Sequence, residues 1–180
     1  MSKPSILLIP GSFALPEFYD PVITGVTSAG YSIRALHLPT VGPKIGPVDA
    51  EPPSMYADAA FIAQEIEKLA DEGKDVILIG HSYGGVPLSE STKGLGKEER
   101  EKEGKKGGVV RLGYLTALVP PVGTSAGGVL AGVPEEIRLN LQMDVRFPPF
   151  IPPRSIMVNM KIGKRLVVSR PNHIRTNLFL

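Results

Sequence analysis

The sequence predicts an α/β protein built on a parallel sheet with helices on both faces. Two short, continuously apolar runs, "SILLIP" (5–10) and "DVILIG" (75–80), suit strands buried on both sides. Helical stretches separate the strand candidates, which implies repeated βαβ units and hence a sheet wrapped on two faces. Pro10-Gly11, His37 and Gly80-His81-Ser82 all fall at the carboxyl ends of strand candidates, where such sheets hold their ligands.

Taken in order, the first strand is stopped by Pro10-Gly11, and a helix is expected from 16 to 29, closed by Gly30. "YSIRALHL" (31–38) alternates as a strand does, and a loop rich in Pro and Gly runs from Pro39 to Pro53. Ser54 is a good N-cap for the clearest helix, 55–72, in which Ala59, Ile62, Ala63, Ile66, Leu69 and Ala70 recur at spacings of three and four before Gly73. After "DVILIG" a helix is expected over 83–91. "KGLGKEEREKEGKKGG" (93–108), with 6 basic and 4 acidic residues, reads as a solvated surface insertion, and "VVRLGYLTALVP" (109–120) resumes the strand pattern.

Composition narrows the function classes. At 180 residues and 42% hydrophobic content the chain is long enough for one compact domain. Twenty basic residues against 18 acids give no reason to expect nucleic acid or an anionic membrane as partner. The absence of cysteine removes thiol nucleophiles and cysteine metal sites. No run approaches the roughly 20 apolar residues that cross a bilayer, and "MSKPSILLIPGS" is too soon broken for a signal peptide, so a cytoplasmic protein is expected. Residues 1–144 hold all 18 acids against 13 basic residues, whereas 145–180 hold 7 basic residues and no acid. The tail's charges are scattered, which suits a peripheral segment better than a dense binding arm. Gly94 and Gly96 lack the context of a dinucleotide or phosphate loop, and histidines at 37, 81 and 173 show no metal-ligand spacing. No cofactor and no metal are expected.

The motif that carries chemistry is Gly80-His81-Ser82-Tyr83-Gly84, a G-x-S-x-G sequence with a strand before it and a helix after it. So tight a turn strains the serine backbone and pushes its hydroxyl into the open, and a side chain at either glycine would collide with neighbouring backbone. The backbone N–H of Tyr83 is then placed to hold an oxyanion.

With "LLIPGSF", "IRALHLPTVG", "VILIGHSYGG" and "YLTALVPPVGTS", the chain over roughly 5–145 resembles the α/β-hydrolase superfamily, and within it the small esterases and hydroxynitrile lyases related to plant methylesterases. The resemblance implies that Ser82 is the nucleophile, that the amides of Ser12 and Tyr83 form the oxyanion hole, and that the substrate is a small ester or amide, with lyase chemistry at the same site as a variant. Pro10 departs from the histidine many relatives carry before the glycine, and His37 stands where they usually have a structural aspartate. His37 is read as structural before substrate-binding; His81 belongs to the elbow and is not nominated as the base.

A nucleophilic serine needs a histidine to take its proton and a carboxylate to orient that histidine, in the chain order Ser, acid, His. Asp144 and His173 satisfy the order formally. Residues 1–133 are expected to form the hydrolase core and 134–180 a partial lid with a basic tail. On that reading the chain stops within the lid, before the family's last two strands, without a convincing acid and base and with a sheet edge left open. The rival readings are a binding module that keeps the elbow without proton transfer, and an interaction protein resting on charge alone. Oligomeric state is not legible in the sequence.

Overall fold

The computed structural model describes residues 3–41, 53–124 and 128, together with the strand backbones 155–160 and 166–169. β1 (Ser5–Ile9), buried along its whole length, lies between β2 (Ser32–Ala35) and β3 (Asp75–His81), both paired parallel to it. Adding β4 (Gly108–Leu115), β5 (Ser155–Met160) and β6 (Leu166–Ser169) completes the order β2-β1-β3-β4-β5-β6. From β1 the chain steps outward to β2 and then returns across β1 to β3. Right-handed crossovers therefore put α1 (Asp20–Ser28) and α2 (Met55–Asp71) on opposite faces. The reversal of direction makes the carboxyl ends of β1 and β3 the natural crevice.

The two faces are unequally filled. On one, Met55, Ala59, Ile62 and Ile66 of α2 are 4% exposed or less, and they join Val86 and Leu88 of α3 (Gly85–Ser91) over Leu7, Ile9, Val76, Leu78 and Leu112 of the sheet. Each large aliphatic side chain buried so completely contributes about 1.5–3 kcal/mol. On the other face α1 buries no residue completely, and Ile77 and Ile79 of β3 are only partly covered by comparison with Val76 and Leu78.

Local signals explain the boundaries. Gly73, at φ +79°, ends α2 by donating its amide to the Ala70 carbonyl while Lys74 donates to Leu69, a C-terminal cap that needs a left-handed residue. Ser54 takes the N-cap place, with its carbonyl and not its hydroxyl receiving the amides of Ala57 and Asp58. The helix expected over 16–29 is a 3-10 turn, Pro16–Tyr19, followed by α1. Pro21 in the first turn of α1 explains the break, because it lacks the N–H that a continuous helix would need there. β2 is shorter than the run 31–38, although the Leu36 amide extends the ladder by donating to Leu8.

Two expectations are corrected. The charged segment 93–108 is not merely a solvated insertion: it contains α4 (Lys97–Lys102), buries Leu95, and buries Arg100 at 3% exposure. The Arg100 guanidinium donates to Asp71 at 2.6 Å and to the Lys106 carbonyl, so one cation ties the segment to the end of α2. The edge of β4, expected to stand open, is paired. "SIMVNM" runs parallel to β4 with Leu112 opposite Ser155, and "LVVS" runs antiparallel to β5.

Candidate active site

β3 delivers His81 in extended conformation, and the next residue, Ser82, turns to φ +52°. That left-handed conformation is uncommon for a residue with a Cβ and persists only where the surroundings impose it. They do so here through close backbone approach. A Cβ on Gly80 would lie 2.9 Å from the Gly84 carbonyl oxygen and the Gly85 amide, and one on Gly84 would overlap the carbonyl oxygens of Ile9 and Pro10, the latter at 2.5 Å. The end of β1 thus presses directly on the elbow. The chain beyond β4 closes on it as well, the Leu118 amide donating to the Ser82 carbonyl at 3.0 Å.

The loop after β1 faces the serine. A Cβ on Gly11 would come to 3.1 Å from Ser82 Cβ and 3.3 Å from His81 Nδ1, so Gly11, the residue before Ser12, lies beside residue 82. The loop is a tight turn in which the Ala14 amide donates to the Gly11 carbonyl at 3.2 Å and Phe13 takes φ +60°. Tyr83 is the second residue of the 3-10 turn Ser82–Gly84, where first-turn amides have no intrahelical acceptor. Ser82 and Ser12 are half-buried.

Two polar clusters hold the site, and the sequence reading missed both. Tyr19 Oη accepts the Gly11 amide at 3.0 Å and lies 2.8 Å from His81 Nδ1. The Tyr83 hydroxyl donates to Asp58 at 2.8 Å, and Asp58 also receives the Thr40 hydroxyl at 2.6 Å and amide at 3.0 Å. Asp58 is fully buried; burial pushes its carboxyl above the usual range, and the bonds from Thr40 and Tyr83 pull it back only in part. Burial also raises the Tyr83 phenol, and the adjacent Asp58 charge adds to that. One signal was available for Asp58: it sits on the apolar stripe of α2, three residues after Met55 and four before Ile62, where a carboxylate needs a partner. No local pattern announced Tyr19.

His37 is exposed, and its Nε2–H donates to the Val41 carbonyl at 2.9 Å, a structural contact. Asp144 and His173 lie outside the described residues. Among the described residues no cluster of three or more His, Cys, Asp or Glu could hold a metal ion, and no helix is long and apolar enough to cross a membrane.

The family model described as the alpha/beta hydrolase family matches residues 6–172. The chain belongs to the alpha/beta hydrolase family. It is 33% identical over 138 residues to the alpha/beta hydrolase nvfD of Aspergillus novofumigatus, covering 76% of this chain and 52% of that protein. It is also 36% identical over 141 residues to a protein of Phoma sp. named as a probable hydrolase, covering 78% and 53%. This alpha/beta hydrolase chain therefore spans about half the length of the curated relatives it matches. Among solved structures, tomato methylketone synthase I has the same fold, with a TM-score of 0.56 at 18% identity over 93% of this chain and 55% of the other. The pyrethroid hydrolase PytH aligns with a TM-score of 0.51 at 25% identity, over 69% and 44%.

Proposed function

We propose that this alpha/beta hydrolase cleaves small esters or amides through an acyl-enzyme on Ser82. The observation that carries the reading is the left-handed backbone of Ser82, wedged by Gly80 and Gly84 against the end of β1 with Gly11 across from it. In the proposed reaction Ser82 Oγ attacks the substrate carbonyl carbon and passes its proton to an imidazole. The amides of Ser12 and Tyr83 receive the negative oxygen of the tetrahedral intermediate. The imidazole then protonates the departing alcohol or amine, and water releases the acyl group by the same steps. The hydrolase names of the relatives support this reaction class.

The chain has three histidines. His81 Nδ1 is engaged by Tyr19 and His37 Nε2 by Val41; Asp144 and His173, which follow Ser82 in the order Ser, acid, His, are this chain's formal candidates for acid and base. The alternative reading is a binding module that keeps the elbow without proton transfer. Covalent labelling by a fluorophosphonate separates the two. The wild-type chain should be tagged at Ser82, Ser82→Ala should not be tagged, and His173→Ala should react on the order of 10²–10⁴-fold more slowly. A wild-type chain that resists labelling rejects the hydrolase reading in favour of the second.

A further inference from the structure

We propose that the Tyr19 hydroxyl locks the Gly11–Ser12 amide loop to the residue preceding Ser82, which makes Tyr19 a positioning residue for the oxyanion-binding amide. This rests on the reading of Ser82 as nucleophile given above. Tyr19 closes the 3-10 turn Pro16–Tyr19, is 9% exposed, and meets the His81 imidazole edge-on with ring centroids 5.8 Å apart.

The protons can be assigned. The Gly11 amide can only donate, so at 3.0 Å the phenol oxygen accepts from it. A phenol has a single proton of its own. If His81 Nδ1 also donated, that proton would have no acceptor among the described residues on a side chain only 9% exposed, and such a group is costly. The phenol therefore donates to Nδ1, and neutral His81 carries its proton on Nε2.

The consequence for Ser12 follows from the peptide plane. The Gly11 carbonyl and the Ser12 N–H belong to one planar trans unit and point in opposite directions. Gly11 is held on both sides, its amide by Tyr19 and its carbonyl by the Ala14 amide, so the direction of the Ser12 N–H is set. The turn also carries Phe13 at φ +60°, a conformation that a bulky residue keeps only under outside restraint. Because the restraint reaches His81, loop and nucleophile share one anchor across 62 positions of sequence.

The test uses the full chain and three readouts. In the wild type, nitrogen-15 NMR should find His81 protonated on Nε2 with Nδ1 as acceptor; protonation on Nδ1 overturns the proposal without any variant. In Tyr19→Phe, which keeps the ring, the Gly11 amide should exchange with solvent about tenfold faster while Leu78 in β3 is unchanged. Equal Gly11 exchange in the two proteins overturns it. Fluorophosphonate labelling of Tyr19→Phe should show a maximal rate about tenfold lower at unchanged half-saturating reagent, the pattern of an interaction made in the transition state. A wild-type maximal rate in the variant overturns the positioning role. If the wild type is not labelled at all, the hydrolase reading fails, and the tautomer and the Gly11 exchange still decide whether Tyr19 locks the loop.

Discussion

Tyr83→Phe deletes one oxygen from the structure and keeps the backbone amide, so its effect reads the phenol's place in the Asp58–Thr40 cluster. That carboxyl is fully buried and accepts three hydrogen bonds, one from the Tyr83 hydroxyl at 2.8 Å and two from Thr40. A hydrogen bond to a charged group contributes about 1.5–3 kcal/mol, and the vacated lone pair has no access to bulk water. A loss of about 2 kcal/mol corresponds, in a chain of this size, to a melting temperature about 4–8 °C lower. The pH dependence gives the sharper check. Burial holds Asp58 above its ordinary 3.8, and the Tyr83 bond is one of the influences that lower it, so the variant's carboxyl titrates higher still. A group raised on folding stabilises fully below its unfolded value and loses that contribution as pH rises through its folded value. The variant, with the higher folded value, therefore loses more on the way up. Urea denaturation should show the full gap between the two proteins at about pH 8 and a narrowing gap toward about pH 4. A gap under about 0.5 kcal/mol, or one that widens on acidification, would refute the account.

Other substitutions probe the elbow and the charged segment. Gly84→Ala places a methyl group against the carbonyl oxygens of Ile9 and Pro10, and forcing β1 away from the elbow should cost about 1–3 kcal/mol and abolish fluorophosphonate labelling; unaltered labelling would show that β1 does not brace Ser82. Arg100→Met should destabilise the protein by about 1–3 kcal/mol and speed proteolysis within 97–106, since the Lys106 carbonyl loses its donor and Asp71 its partner. Unchanged cleavage would mean that the segment's other contacts, Leu95 and the Lys97–Asp75 ion pair among them, suffice to hold it.

Much of the fold was legible because its signals are local. Continuous apolar runs marked β1 and β3, spacing of three and four marked α2, and Gly73 marked its end. The segment 93–108 was misjudged because its average polarity conceals two residues, Leu95 and Arg100, whose burial depends on what lies beneath them. β5 and β6 were missed for a related reason: an isolated apolar run of four to six residues does not say whether it edges a sheet or roofs a cleft, and only the vacant edge of β4 decides.

The site divides in the same way. G-x-S-x-G is a contiguous pattern, so Ser82 could be singled out as the candidate from the sequence by itself, although the backbone that crowds Gly84 belongs to Ile9 and Pro10 at the end of β1. The groups that brace it could not. Tyr19 meets His81 across 62 positions and Asp58 meets Tyr83 across 25, through contacts that no periodicity encodes. A hydrogen bond depends on where two atoms lie, and for residues so far apart along the chain that is settled only when β1, β3 and α2 pack together. The sequence alone determined which residue could be the nucleophile, and the tertiary structure decided what holds it in place.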